Sequence, residues 1–258
     1  MDKRRLQSPE TLAPARAMAH AAAQLLYRAS VANADPLPGD EHSNLGWDPD
    51  LGGFQTHPLG PEGISVGLGL TPLVLRMADR SLGLDGVSVT EALGWLDAEL
   101  GRHSLAPASG VEVTYDLPDS VLSVDRFEDL AGVAGLAAWF DLAARSIEGL
   151  AATLTDLIPG PSPVRCWPHH FDLATYVSLE PGDAELAQGI GVGLSPGDGS
   201  YDQPYFYVNP WPHLDRASLQ DVVAPGHWHT EGFVGLIATG TEILTLDGTL
   251  PVEFLNPG

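Results

Sequence analysis

Two short stretches, Cys166-Trp167-Pro168-His169-His170-Phe171-Asp172 and Gly226-His227-Trp228-His229-Thr230-Glu231-Gly232, hold four of the chain's nine histidines. Each sets its histidines beside a tryptophan and a carboxylate. Imidazole and carboxylate are the side chains that bind zinc and similar divalent metals or move protons near neutral pH. His227 and His229 are two apart and share a face of an extended segment. His169 and His170 point to opposite faces if their segment is extended too. One of His169 and His170, together with His227 and His229, would give three protein ligands and an open water position, as in a catalytic zinc site, with Asp172 or Glu231 available to complete the set. Without metal, the same residues form a pocket in which His229 and His169 or His170 act as bases and Glu231 or Asp172 orients them or shuttles a proton. In a third reading the histidines stack on Trp167 and Trp228 and serve packing alone. No spacing here decides among the three as H-E-x-x-H would.

A second group is aromatic. Tyr201, Tyr205, Phe206, Tyr207, Trp211 and Trp228 crowd one short window. Tyr205 and Tyr207 share one strand face and Phe206 takes the other, which assigns Phe206 to the core. The tyrosines, with Trp167 and Trp228, are candidates to stack a planar or sugar-like small molecule. Three other patterns carry less. Gly63-Ile64-Ser65-Val66-Gly67 spells a nucleophile elbow, but a Pro/Gly loop precedes it and an extended segment follows, where a strand and a helix are required. Gly189-Ile190-Gly191-Val192-Gly193 lacks the following helix and the nearby basic residue of a phosphate loop, and reads as a glycine-rich strand. Cys166 is the only cysteine, so an internal disulfide is impossible, and it reads as a small apolar packing residue.

The elements that must position these groups follow from periodicity and punctuation. Residues 8–31 read as an amphipathic helix headed by Ser8-Pro9-Glu10; its polar His20, Gln24 and Arg28 argue against a secretory leader despite Lys3-Arg4-Arg5. Residues 34–63 read as a loop with at most one short strand, and 64–77 as extended, interrupted at Thr71-Pro72. Ser88 with Glu91 forms a capping box opening a helix to about Gly101. Val111 to Tyr115 alternates as a short strand. Asp125 with Glu128 makes a second capping box, followed by apolar residues at helical spacing up to Pro159. Beyond Pro159-Gly160-Pro161-Ser162-Pro163, strand-like runs at 164–170, 172–179, 188–194 and 204–209 alternate with turns. The expected fold is α+β: an N-terminal helix and a long central helix packed on a mainly antiparallel sheet, with a strand-rich C-terminal part. We read residues 1–258 as one domain with a soft boundary at 159–163.

Charge narrows the partners. Thirty-four acidic against twelve basic residues leave a net charge of −22, which repels nucleic-acid backbones and anionic lipid. No run approaches the roughly 20 apolar residues of a membrane span. The expectation is a cytoplasmic protein, its partner a small-molecule ligand, with no role at nucleic acid or membrane and an oligomeric state that the sequence does not give. Ser162-Pro163-Val164, Trp167-Pro168-His169-His170-Phe171-Asp172-Leu173-Ala174, Ser195-Pro196-Gly197-Asp198, Pro204-Tyr205-Phe206-Tyr207 and Trp228-His229-Thr230-Glu231-Gly232 together resemble a bacterial family of uncharacterised proteins. The likeness spans about residues 160–240. It implies the same general layout and a further helical segment beyond the last block, where this chain ends at Gly258. It implies no activity. The sequence therefore points to metal-assisted or acid–base hydrolysis of a small molecule, or to a non-catalytic binding or structural protein.

Overall fold

Alanine dominates the first helix, and that governs how it packs. The structure, a computed structural model, describes residues 12–182, 187–222 and 225–245. Helix α1 (Ala13–Asn33) carries a proline in its first turn; the expected cap at Ser8 lies outside the described residues. Residues 19–27 are all buried, so α1 is covered on every side and is not the one-faced amphipathic helix expected. Small side chains let neighbours approach on each flank, and its polar residues His20 and Gln24 go inside with partners.

The chain forms two compact units. One holds residues 12–141 and 165–171, the other residues 142–164 and 172–245. The first contains α1 and an antiparallel meander of β1 (Gly46–Asp48), β2 (Gly53–Gln55), β3 (Val66–Leu70), β4 (Leu73–Met77) and β5 (Arg80–Gly83), in that order. The 34–63 region thus has two short strands, one more than expected, and Trp47 pairs with Phe54 across them. Helix α2 (Val89–Arg102) opens on the expected capping box: the Ser88 side chain accepts the Glu91 N–H, and Glu91 accepts the Ser88 N–H at 2.8 Å.

Helices α3 (Asp119–Leu122) and α4 (Ala131–Thr153) complete the helical part of the described chain before the later strands. The Asp125/Glu128 box is not a cap, and α4 starts six residues after Asp125. The backbone there is taken by the 86–89 segment. Phe127 N–H donates to Val87 O, Gly86 N–H to Phe127 O and Val89 N–H to Asp125 O, so the Asp125 and Phe127 carbonyls that would accept the first helical bonds are already taken. At the other end α4 stops at Thr153 rather than near Pro159, and Leu157 and Ile158 are exposed. Val111 to Tyr115 does not form the expected strand. Arg28 donates to Val111 O and the Tyr115 hydroxyl to Gln24 Oε1 at 2.6 Å, so side chains of α1 hold it.

In the second unit β6 (Gly160–Pro161), β8 (Asp172–Ser178), β9 (Gly189–Ser195), β10 (Tyr205–Trp211), β11 (His227–His229) and β12 (Gly235–Thr239) form an antiparallel sheet ordered β11-β12-β10-β9-β8-β6. Helix α5 (Gly240–Thr245) follows β12. Strand β7 (Arg165–Trp167) belongs to the first unit, where Cys166 bridges Leu45 and is fully buried, the packing role expected of it. The chain passes between units within α4 and at both ends of residues 165–171. The Pro-rich 159–163 stretch lies inside the second unit. Helices early and antiparallel strands late make this an α+β protein. Among the described residues no helix is long and apolar enough to cross a membrane.

Candidate functional site

Strand register divides the C-terminal sheet into two chemically different faces. Phe206, Val208, Leu194, Val192, Leu173, Val177, Leu236 and Ala238 alternate onto one face and are buried. The other carries Tyr205 opposite Ser195 and Thr239, Tyr207 opposite Gly193 and Ile237, His227 opposite Ile237, and His229 opposite Gly235. This face explains the Gly189-x-Gly191-x-Gly193 run. A Cβ on Gly193 would lie 2.5 Å from the Tyr207 ring, and one on Gly189 would meet the Tyr176 ring. The glycines are a floor under tyrosine rings, consistent with the strand expected there.

Three tyrosines form a row on this face, with ring centroids 4.9 Å apart for Tyr201 and Tyr205 and 6.3 Å for Tyr205 and Tyr207. Each hydroxyl is engaged. Tyr207 donates to Asp172 Oδ2 and Tyr205 to Asp198 Oδ2 at 2.5 Å. Asp198 also builds the turn that delivers Tyr201: its Oδ1 accepts the N–H of Ser200 at 2.8 Å and of Tyr201 at 3.1 Å. An aspartate closing its own turn this way is an Asx-turn. The Tyr201 hydroxyl then lies 2.9 Å from His227 Nε2 and 3.0 Å from His229 Nδ1.

The outer nitrogens of the two imidazoles are held as well. His227 Nδ1 faces Glu242 Oε1 at 3.4 Å, and His229 Nε2 faces the backbone carbonyl of Glu231 at 2.5 Å. Glu242 is placed by a capping box at the head of α5, where its Oε2 accepts the Thr239 N–H and hydroxyl, both at 2.7 Å. Gln203 fastens the same helix start by accepting the Thr241 N–H at 2.9 Å. A continuous chain results: Glu242, His227, Tyr201, His229, with the Glu231 carbonyl at its end. His227 and Glu242 are about two-fifths exposed, so the chain is open to solvent.

Hydrogen counting defines what this chain can do. A carboxylate and a carbonyl only accept, so His227 Nδ1 and His229 Nε2 carry the ring protons. Both inner nitrogens are then acceptors in the neutral rings, and one Tyr201 proton serves two of them. One added proton would satisfy every contact. Burial, then the nearby Glu242, Asp198 and Glu231 charges, push the Tyr201 hydroxyl above its ordinary value, so it remains a phenol. Burial would raise Glu242, but the Thr239 hydrogen bonds and the His227 ring outweigh it and hold it below the ordinary range as a carboxylate. Burial and the Asp198 contact push Tyr205 up, which makes it a structural hydroxyl.

The other expected site residues lie elsewhere. Pro168 ends β7, so residues 168–171 are a turn and not the end of a strand over 164–170. His20 Nε2 and Gln24 Nε2 both donate to the Pro168 carbonyl at 2.8 Å, and Phe171, in a left-handed conformation, plugs into an aromatic cluster with Phe54 and Phe140. His20 stacks on Phe171 with centroids 5.0 Å apart. His169 is half-buried against Tyr115 and Trp167, while His170 is exposed, which answers which of the two faces inward. Burial, and then His170 beside it, lowers His169 to about 4; burial chiefly lowers His20 to about 4. These rings are neutral packing groups.

The three-ligand metal site is not assembled. Among the described residues no group of three or more His, Cys, Asp or Glu is arranged to hold an ion. His169 and His170 belong to one compact unit and His227 and His229 to the other. The inner nitrogens of the second pair both turn to Tyr201. Glu231 holds the chain through its carbonyl, while its carboxylate is exposed. Trp228 points to the opposite sheet face and donates to Gln220 O at 2.8 Å, so it is not part of the chain; Trp167 packs with His169. Asp172, Tyr205 and Tyr207 share the site's face, two of them as hydroxyl donors and one as acceptor. Glu242 was not foreseen, although Thr239-x-x-Glu242 is a legible capping-box spacing. Comparison of the chain with protein-family models, curated proteins and solved structures finds no match.

Proposed function

We propose that the protein acts on a small molecule by acid–base chemistry, in the simplest case hydrolysis, at the Glu242–His227–Tyr201–His229 chain. The observation that carries this reading is the single Tyr201 hydroxyl shared between two oppositely tethered imidazoles. Glu242 fixes the tautomer of His227 and leaves Nε2 as the basic nitrogen, the role a carboxylate plays for a catalytic imidazole. His227 accepts the Tyr201 proton as the phenol oxygen takes one from a water or substrate hydroxyl. His227 Nε2–H then returns that proton through the same oxygen to a leaving group, while His229 Nδ1 stays an acceptor that holds the hydroxyl in place. The phenol conducts the proton and does not accumulate charge. Metal is not needed for these steps.

The setting we propose is the cytoplasm, supported by a lone buried cysteine, and the net charge argues against nucleic acid as substrate. The motif likeness over residues 160–240 supports kinship with the uncharacterised bacterial family and adds no activity. The test is turnover of a panel of fluorogenic esters, amides and phosphate esters by the intact chain and by Tyr201→Phe and His227→Gln. Hydrolysis that falls about 100- to 10,000-fold in both variants, with circular dichroism unchanged, supports the reading. Turnover that survives both substitutions overturns it.

A further inference from the structure

The first unit contains a cavity of about 510 Å³, remote in sequence from the tyrosine–histidine chain. Asn33, Asp35, His42, His57, Pro58 and Pro61 line it. Its volume lies within the roughly 300–1,000 Å³ of small-molecule sites. Two of its polar side chains are already engaged. The Asn33 amide donates to Ala29 O and Ala106 O, both at 3.0 Å, and accepts the Ala106 N–H at 2.7 Å. His57 Nε2 is held by Asn44 Oδ1 at 2.8 Å.

His42 is different. Gly39 and Asp40 adopt successive left-handed conformations, and this reversal folds the chain back so that His42 Nδ1 accepts the Leu37 N–H at 3.2 Å. The Ser43 hydroxyl locks the turn on Asp40 O at 2.9 Å. An accepting Nδ1 puts the ring proton on Nε2. The residue is 8% exposed and lines the cavity, and its Nε2–H has no partner among the described residues, so a donor of fixed tautomer is available at the cavity wall. Asp35, exposed at the wall, supplies a carboxylate with no hydrogen bond or ion pair among the described residues. Leu37, Pro58 and Pro61 add C–H surface, and neither Lys nor Arg is among the lining residues.

We infer that this cavity binds a small neutral polyol, a monosaccharide or cyclic polyol by chemical class. A hydroxyl both accepts, as His42 Nε2–H requires, and donates, as Asp35 requires. The C–H face of such a ring packs on proline. An ammonium ion would satisfy Asp35 and leave the His42 donor unmet. An anion would meet the Asp35 charge and a chain already at −22.

The experiment is imidazole-detected NMR on the intact chain labelled with ¹⁵N-histidine. D-glucose and myo-inositol are the probes, and methylammonium and acetate the charged comparators. The His42 Nε2–H signal, assigned by its loss in His42→Phe, should shift saturably with at least one polyol while His227 and His229 stay put. Asp35→Asn, a surface change that leaves folding intact, should weaken that response about tenfold through loss of one charge-assisted hydrogen bond. A His42 signal indifferent to both polyols overturns the proposal. So does a response to methylammonium or acetate instead, or an unchanged affinity in Asp35→Asn.

Discussion

A phenol with one proton between two imidazoles makes demands that can be checked residue by residue. Glu242 requires His227 to be the Nδ1–H tautomer, and the Glu231 carbonyl requires His229 to be Nε2–H. Long-range ¹⁵N–¹H spectra should therefore show opposite tautomers at the two positions; the same tautomer at both would refute the hydrogen count. Tyr201→Phe should cost under about 1 kcal/mol, since the hydroxyl is only partly buried and water can replace it. It should nonetheless lower turnover about 100- to 10,000-fold, a separation that a purely structural tyrosine would not give. Part of this site was legible. His227 and His229 on one face, and Tyr205 and Tyr207 on another strand's face, follow from a period of two. The link through Tyr201 was not. It spans 26 and 28 residues and depends on which strands become neighbours, which periodicity does not specify.

At the scale of elements, two spacings that look identical behave differently. Ser88/Glu91 and Asp125/Glu128 both fit a capping box, and only the first caps a helix. Ser88→Ala should destabilise by about 1 kcal/mol, the usual loss for such a cap, whereas Glu128→Ala should be near neutral. Urea midpoints of the two variants test this, and equal losses would contradict the observed start of α4. The difference is tertiary: residues 125–127 spend their backbone on the 86–89 segment, a pairing no local pattern announces. The C-terminal strands were readable because glycine and proline turns punctuate them. Even there Pro168 converted an expected strand end into a turn, and that turn moved His169 and His170 away from the role their spacing suggested. Gly193 is the counterpart on the sheet. Gly193→Ala would drive a methyl into Tyr207 and to 2.8 Å from the Ala174 Cβ, costing about 1–3 kcal/mol and loosening Tyr207 from Asp172.

The whole molecule sets two opposing responses to acid. With 34 carboxylates against 12 basic groups, protonating carboxylates relieves self-repulsion and favours folding, but little of that occurs much above pH 5, well over ordinary carboxylate values near 4. His20 acts earlier and in the other direction. Its folded value is about 4 against an ordinary 6.5, so between those limits the unfolded chain binds a proton that the folded chain does not. Its contribution is complete above pH 6.5 and is lost as the pH falls towards 4, at roughly 1 kcal/mol per pH unit in mid-window. His169, lowered in the same way, adds to the same slope. Between pH 6.5 and 5 the histidines therefore decide, and stability should fall with acid even as net charge shrinks. Trp47, Trp95, Trp139 and Trp167 lie in the unit that holds His20, so urea unfolding followed by tryptophan fluorescence reports on it. His20→Phe keeps a ring against Phe171, leaves Gln24 on the Pro168 carbonyl and removes the titrating group. It should be less stable than the parent chain at pH 7.5 yet show a shallower decline from pH 6.5 to 5. An undiminished slope in that variant would mean that the pH response arises in the carboxylates after all.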